Sequence, residues 1–291
     1  MYDIQSSAHL GRIQNPKSGA LGRIQNWLGG AILGVIGLVG VAAFLYPFFL
    51  PQLVQSEGEL GAHSGDALFL FALLFILCLV VLFAEMESEG MNTKMVAVLG
   101  VLTAINAVLR VADTAFVLMN VGGVSPLFLL VILCGYTYGS RFGFLLGALS
   151  MVVSAIVTGG VGPWLPYQMW TMGWVGLTAG WLPQGWLRGR REERARPSIN
   201  RETVALAAFG ALWALLYGAI LNLYFWPYTV GGAINWTPGL TLAETVQRYA
   251  LFYVATSLWW DVIGAAANVA LILLFGAAIL KVLRRFQRRF H

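Results

Sequence analysis

Residues Gly159–Gly180 read GGVGPWLPYQMWTMGWVGLTAG. A glycine- and proline-rich turn leads into an apolar helix whose first turns carry Trp164, Tyr167, Gln168 and Trp170. A lipid-facing anchor has no use for so much aromatic and polar surface at one point. A site that encloses an organic molecule does, because small-molecule pockets combine apolar and aromatic walls with a few placed polar groups.

The rest of the chain supplies the membrane around that helix. Of 291 residues, 58% are hydrophobic and 11% charged, and the mean hydropathy is +0.74. Soluble domains carry about 25% charged residues. Apolar runs fall at Trp27–Phe49, Ala67–Phe83, Met95–Val111, Pro126–Gly139, Phe142–Thr158, Tyr167–Leu187, Val204–Phe225 and Tyr249–Leu283. A span needs about 20 residues, so these predict about eight transmembrane helices. The fourth is short. The eighth is long enough that its beginning should tilt or lie along the outer surface. The alternation of a membrane barrel is absent, and the fold class is an all-α integral membrane protein.

Charge sets the orientation. With both termini cytoplasmic, all but two of the 18 basic residues fall inside, and only Arg110 and Arg248 lie near the outer face. That asymmetry follows the positive-inside rule. It also accounts for the pI of about 9.4 without nucleic acid. Glu85, Glu87 and Glu89 are a blemish on the cytoplasmic side. The chain divides into a cytoplasmic tail (1–26), an accessory transmembrane hairpin (27–84), a six-helix core (94–283) with a basic cytoplasmic loop (188–201), and a basic tail (284–291). LGRIQN occurs twice, at Leu10–Asn15 and Leu21–Asn26, and reads as local duplication.

Ionisable groups inside the core are few. At 1.5 Å per residue, Arg110 lies roughly 24 Å above Lys94 and Asp261 roughly 30 Å above Lys281. Both therefore reach the outer third of the bilayer, where an unpaired charge is costly. Asp261 should seek a partner, with Arg110 best placed by depth and Asp113 a competitor for the arginine. Ser257, Asp261, Gly264 and Asn268 share one face of the last helix. They are either a structural ion pair with its neighbours or part of a ligand pocket. A second aromatic group, Tyr224 to Tyr228 with Trp236, Trp259 and Trp260, lies on the same side. Thr241 and Glu244 form a capping box.

Ala97, Gly100, Ala104 and Ala107 put small side chains on one face of the third span. Such a face admits a close helix, either within this chain or on a partner subunit. The glycines at 135, 139, 143 and 147 read as internal packing. Cys78 and Cys134 lie in apolar spans, and the three histidines lie in tails or a loop. No metal, catalytic residue or resident cofactor is expected. There is no G-x-x-x-x-G-K-[ST] phosphate loop. Binding fits better than catalysis.

The segment from Ser125 to Trp170, SPLFLLVILCGYTYGSRFGFLLGALSMVVSAIVTGGVGPWLPYQMW, resembles the substrate-binding S components of energy-coupling factor (ECF) vitamin transporters. It is most similar to the branch carrying GPW-x-P-x-QM, which includes cobalamin-type members. The resemblance covers about Lys94 to Leu283 and leaves the first two helices outside. It implies a six-helix capsule in a prokaryotic cell membrane, taking up a vitamin, with cobalamin or a related corrinoid first and thiamine or another vitamin as alternatives. The site residues would be Arg110, Asp113, Trp164, Tyr167, Gln168, Trp170, Asp261 and Asn268. It also implies partners: a transmembrane coupling subunit, meeting the small face of the third span, and two cytosolic ATPases. The reading from a different class is a structural or assembly subunit whose polar cluster only staples helices together.

Overall fold

The computed structural model describes residues 16–50, 61–87, 93–118, 125–184, 199–229 and 231–290, with side chains except at 16–26, 28, 87, 112–118 and 290. Among these residues the regular elements are helical. They are α1 (Pro16–Phe49), α2 (Ala67–Glu87), α3 (Thr93–Leu118), α4 (Leu127–Tyr138), α5 (Ser140–Thr158), α6 (Leu165–Ala179), α7 (Arg201–Phe225), a 3-10 turn (Trp226–Tyr228), α8 (Leu242–Thr256) and α9 (Leu258–Phe290). The first LGRIQN copy and most of the basic loop lie outside the described residues. The second copy is helical, so α1 begins well before the expected Trp27.

Among the described residues six helices are long and apolar enough to cross a membrane, as fits a multi-pass membrane protein. Two of the eight expected spans are shorter than predicted. α4 has 12 residues and α6 has 15, about 18 and 22 Å at 1.5 Å per residue, against a hydrocarbon core of ~30 Å. Both are sheathed by protein: every residue of α4 from Leu127 to Thr137 is buried. A helix lined by other helices need not match the bilayer, because its ends can be satisfied by protein. The long eighth segment is divided at Ser257 into the exposed α8, of which only Phe252 is buried, and the spanning α9.

α5 and α6 form the tightest pair, with α4 packed against both. Their axes approach because glycine faces glycine: a Cβ at Gly143 or at Gly176 would overlap the carbonyl of the other. Gly135 meets the Gly176 carbonyl and Gly147 the Met172 carbonyl in the same way. The glycine ladder is therefore internal packing. Gly139 stands apart from it as the left-handed turn (φ 98°) joining α4 to α5. α7 and α9 pair on another flank, and α3 leans on α5.

Charged groups at the far end of the bundle are paired. Glu85 of α2 is almost fully buried and bonds to Arg141 of α5, so one acidic residue that looked misplaced by charge has a structural partner. Glu202 of α7 takes Arg284 of α9 and a hydrogen bond from the Tyr136 hydroxyl at 2.7 Å.

The α1–α2 hairpin is fastened to α6 by a cluster that the loop sequence did not announce. His63, expected in an open loop, is fully buried in a turn at φ 58°, an uncommon backbone region for a residue with a side chain. Its Nε2 donates to the Tyr224 carbonyl at 3.2 Å. Its Nδ1 lies 2.7 Å from the Tyr167 hydroxyl and 3.1 Å from Asp66 Oδ2. The Tyr46 hydroxyl donates to the same carboxylate oxygen at 2.6 Å. The cluster thus joins α1, the hairpin turn, α6 and α7. Nearby, the Trp170 indole donates to the Ile36 carbonyl of α1 at 3.0 Å.

Two outcomes follow from this packing. Gly176→Val forces α5 and α6 apart; overfilling a packed core costs about 1–3 kcal/mol and here strikes backbone, so fluorescence-detected gel filtration should show loss of the monodisperse peak. His63→Ala removes the imidazole's bonds to the Tyr224 carbonyl, Asp66 and Tyr167, at about 0.5–1.5 kcal/mol for each hydrogen bond lost, and should lower the melting temperature by several degrees. The pH dependence has a defined sign. Burial acts to raise the Asp66 carboxyl, but hydrogen bonds from His63 and Tyr46 hold it below its ordinary value of 3.8. A depressed folded pKa gives stability that is present above the ordinary value and lost as pH falls through the folded one. Hairpin protection against protease should therefore weaken below about pH 4 in the parent, and Asp66→Asn should flatten that dependence.

Candidate functional site

α3 has two faces of different character. Leu99, Thr103, Asn106 and Ala107 turn inward and are buried, and the Asn106 amide donates to Ser150 of α5 at 3.1 Å. One turn further along this face comes Arg110, which is only half-buried. Its guanidinium reaches the Met151 thioether at 2.8 Å and Gln168 Oε1 at 3.2 Å. Both partners are neutral acceptors.

α9 approaches from the other side. Asp261, Gly264 and Asn268 follow one another at helical spacing, and all three line the same cavity as Arg110, Gln168 and Met151. The cavity has a volume of about 510 Å³. Its remaining wall is apolar and aromatic, from Leu127 and Phe128 at the start of α4, Met172 of α6, Ala214 and Tyr217 of α7, and Trp260 of α9, with Ser125 beside α4. Six core helices and the lead-in to α4 thus converge on one space.

The acidic wall is shaped by a missing side chain. Asp261 lies directly over Gly218 of α7, where a Cβ would collide with its carboxylate. The Tyr253 hydroxyl of α8 faces the carboxylate but donates to the Leu215 carbonyl at 3.3 Å, and the carboxylate's Oδ2 is buried without a partner among the described residues. Asn268 is 2% exposed. Its Nδ2 donates to the Gly210 carbonyl at 3.2 Å, and its Oδ1 is also unpartnered.

Several sequence expectations are placed differently. The anticipated Asp261–Arg110 ion pair is not formed among the described residues: each keeps to its own wall, Arg110 held by Gln168 and Met151. Tyr167 and Trp170 are fully buried but turn toward the hairpin, to His63 and Ile36, and neither lines the cavity. Trp164 is exposed and its indole donates to the Gly160 carbonyl at 3.2 Å. Asp113 has a side chain outside those described. Ser257 shares its sequence face with Asp261, yet its hydroxyl donates to Asn222 Oδ1 at 3.0 Å instead. Arg248 donates to the Asn235 carbonyl at 3.2 Å. The Thr241–Glu244 capping box is formed. On the small-residue face of α3, Ala97, Gly100 and Ala104 are exposed, but Ala107 is buried at 1% and belongs to the inner face.

Met151 and Tyr217 are cavity residues that sequence reasoning did not select, and Trp260 entered it only as part of the outer aromatic group. A methionine or tyrosine within an apolar span carries no local signal, because its role depends on what the neighbouring helix brings opposite. Among the described residues no group of three or more histidine, cysteine or acidic side chains could hold a metal. Both cysteines are buried and free.

Residues 94–281 match the family described as ECF transporter, substrate-specific component. No curated protein and no solved structure matches the chain. The matched stretch runs from the first residues of α3 to late in α9 and contains every residue that lines the cavity. The chain therefore belongs to the family of substrate-specific components of ECF transporters, and is a membrane-embedded transporter subunit rather than an enzyme.

Proposed function

We propose that this subunit captures a vitamin-sized organic molecule in the cavity between α3, α6 and α9 and delivers it for ATP-driven uptake. The observation that carries this reading is the cavity itself. Its ~510 Å³ fall within the 300–1,000 Å³ of typical small-molecule sites, and its few polar groups, Arg110, Gln168, Asp261 and Asn268, come from three helices. By the positive-inside reading the cavity lies toward the extracellular side of a prokaryotic plasma membrane, with both termini in the cytoplasm. ATP hydrolysis belongs to two partner ATPases, acting through a transmembrane coupling subunit that docks on the exposed Ala97, Gly100 and Ala104 of α3.

The GPWLPYQMW segment points toward a corrinoid as the cargo. A smaller vitamin such as thiamine is the second reading, and two observations favour it: a corrinoid with its nucleotide arm is bulky for a space of this size, and Tyr167 and Trp170 serve the hairpin instead of the cavity. Mass spectrometry of molecules copurifying with the detergent-solubilised protein decides between them. Saturable thiamine binding with no affinity for cyanocobalamin would overturn the corrinoid assignment. If the polar cluster were only a staple, Gln168→Ala would change stability and leave uptake intact.

Two further outcomes test the roles. Arg110→Ala and Gln168→Ala should each weaken binding of the copurified molecule about 10- to 100-fold, the equivalent of about 1.4–2.8 kcal/mol, as read by titration of intrinsic tryptophan fluorescence. Gly100 has open space around its Cβ position. Gly100→Leu should therefore leave fold and ligand affinity unchanged while abolishing uptake in cells that supply the coupling module.

A further inference from the structure

The two walls of the cavity are chemically opposite. On the α3 side the charged group is a donor: Arg110 offers guanidinium N–H groups and meets only neutral acceptors. On the α9 side the polar atoms left over are acceptors. Asp261 Oδ2 and Asn268 Oδ1 are both buried and both without a partner among the described residues. Asn268 commits one amide N–H to the Gly210 carbonyl, which anchors the amide and leaves its Oδ1 without a partner among the described residues. Gly264, midway between the two on the same face, adds no side chain to obstruct approach. The acceptors are seven residues apart, about 10 Å along the helix, which is the length of a small ring with one substituent. Trp260 lies beside them at the rim, and an indole face favours cations.

Leaving a charge of each sign unpaired in one low-dielectric space is costly unless something completes both. The two groups do not reach each other, so they do not complete themselves. We infer that the cavity takes an amphoteric ligand, whose cationic edge lies on Asp261 and Asn268 and whose anionic edge lies on Arg110. The inference rests on the proposed capture function, takes its smaller-vitamin reading, and adds a charge pattern to it. Gly218 is a positioning residue in this scheme: by lacking a side chain it lets the Asp261 carboxylate sit where it does.

The test uses full-length protein in detergent and five probes: thiamine monophosphate (cation and anion), thiamine (cation), biotin (anion), riboflavin (formally uncharged) and cyanocobalamin. Calorimetric titration should find thiamine monophosphate the tightest of the five. Asp261→Asn should weaken thiamine and thiamine monophosphate at least 10-fold and leave biotin within about 2-fold. Arg110→Gln should show the converse selectivity, weakening the phosphate ester and biotin more than thiamine. Gly218→Ala keeps the charge but displaces the carboxylate, and should reproduce the Asp261→Asn pattern more weakly; it is the control if Asp261→Asn fails to yield a monodisperse protein. Preferential binding of riboflavin, biotin or cyanocobalamin, or equal losses for all probes in both variants, overturns the amphoteric assignment and leaves the capture function standing. Absence of saturable binding by all five overturns both.

Discussion

The contact on which the rest of the molecule depends is the one between the backbones of α5 and α6. Within lipid no hydrophobic gain drives helices together, so close packing must, and only glycine at 143 and 176 lets these two approach so nearly. With α6 pressed into the centre, its opposite faces become available for opposite purposes. Gln168 and Met172 look toward the cavity, while Tyr167 and Trp170 look toward α1. One helix of 15 residues thus serves as a wall for two neighbours at once.

The cavity draws its character from the same economy. Arg110 sits at the end of an inward polar face of α3, steadied by Gln168, so its position depends on α6 being where α5 puts it. Asp261 depends on α7, through the absence of a side chain at Gly218. Neither charged group is buried deeply enough to be inert, and neither is paired with the other. Two walls of opposite polarity thus face each other across a small space without closing into an ion pair.

How much of this was legible in the sequence depended on range. The helical class, the approximate spans and the face Asp261–Gly264–Asn268 follow from composition and steps of three and four, which are local properties. Arg110 and Gln168 stood out as rare polar groups in apolar runs. The direction each side chain takes around α6 was not legible. Tyr167 and Gln168 are adjacent in sequence but about 100° apart around a helix, and only the placement of α1 decides which of them meets a ligand. His63 was hidden for a similar reason: its partner Tyr167 is 104 residues away, and an unremarkable polar loop gave no hint of it. The span count was less legible: a length rule for lipid-exposed helices picks out six of the eight expected spans among the described residues, because α4 and α6 are short and wrapped in protein.

The His63 cluster also bears on mechanics. It ties the hairpin to α6 and α7 through hydrogen bonds that converge on one imidazole and one carboxylate, so any tilt of the core relative to the bilayer would carry α1 and α2 along as a single rotor. A rotor of eight or nine helices displaces more lipid than one of six and meets greater viscous drag. In such a tilt the hairpin would act as a keel, bearing on how fast and about which axis the subunit rolls, while the bare stripe on α3 is left clear.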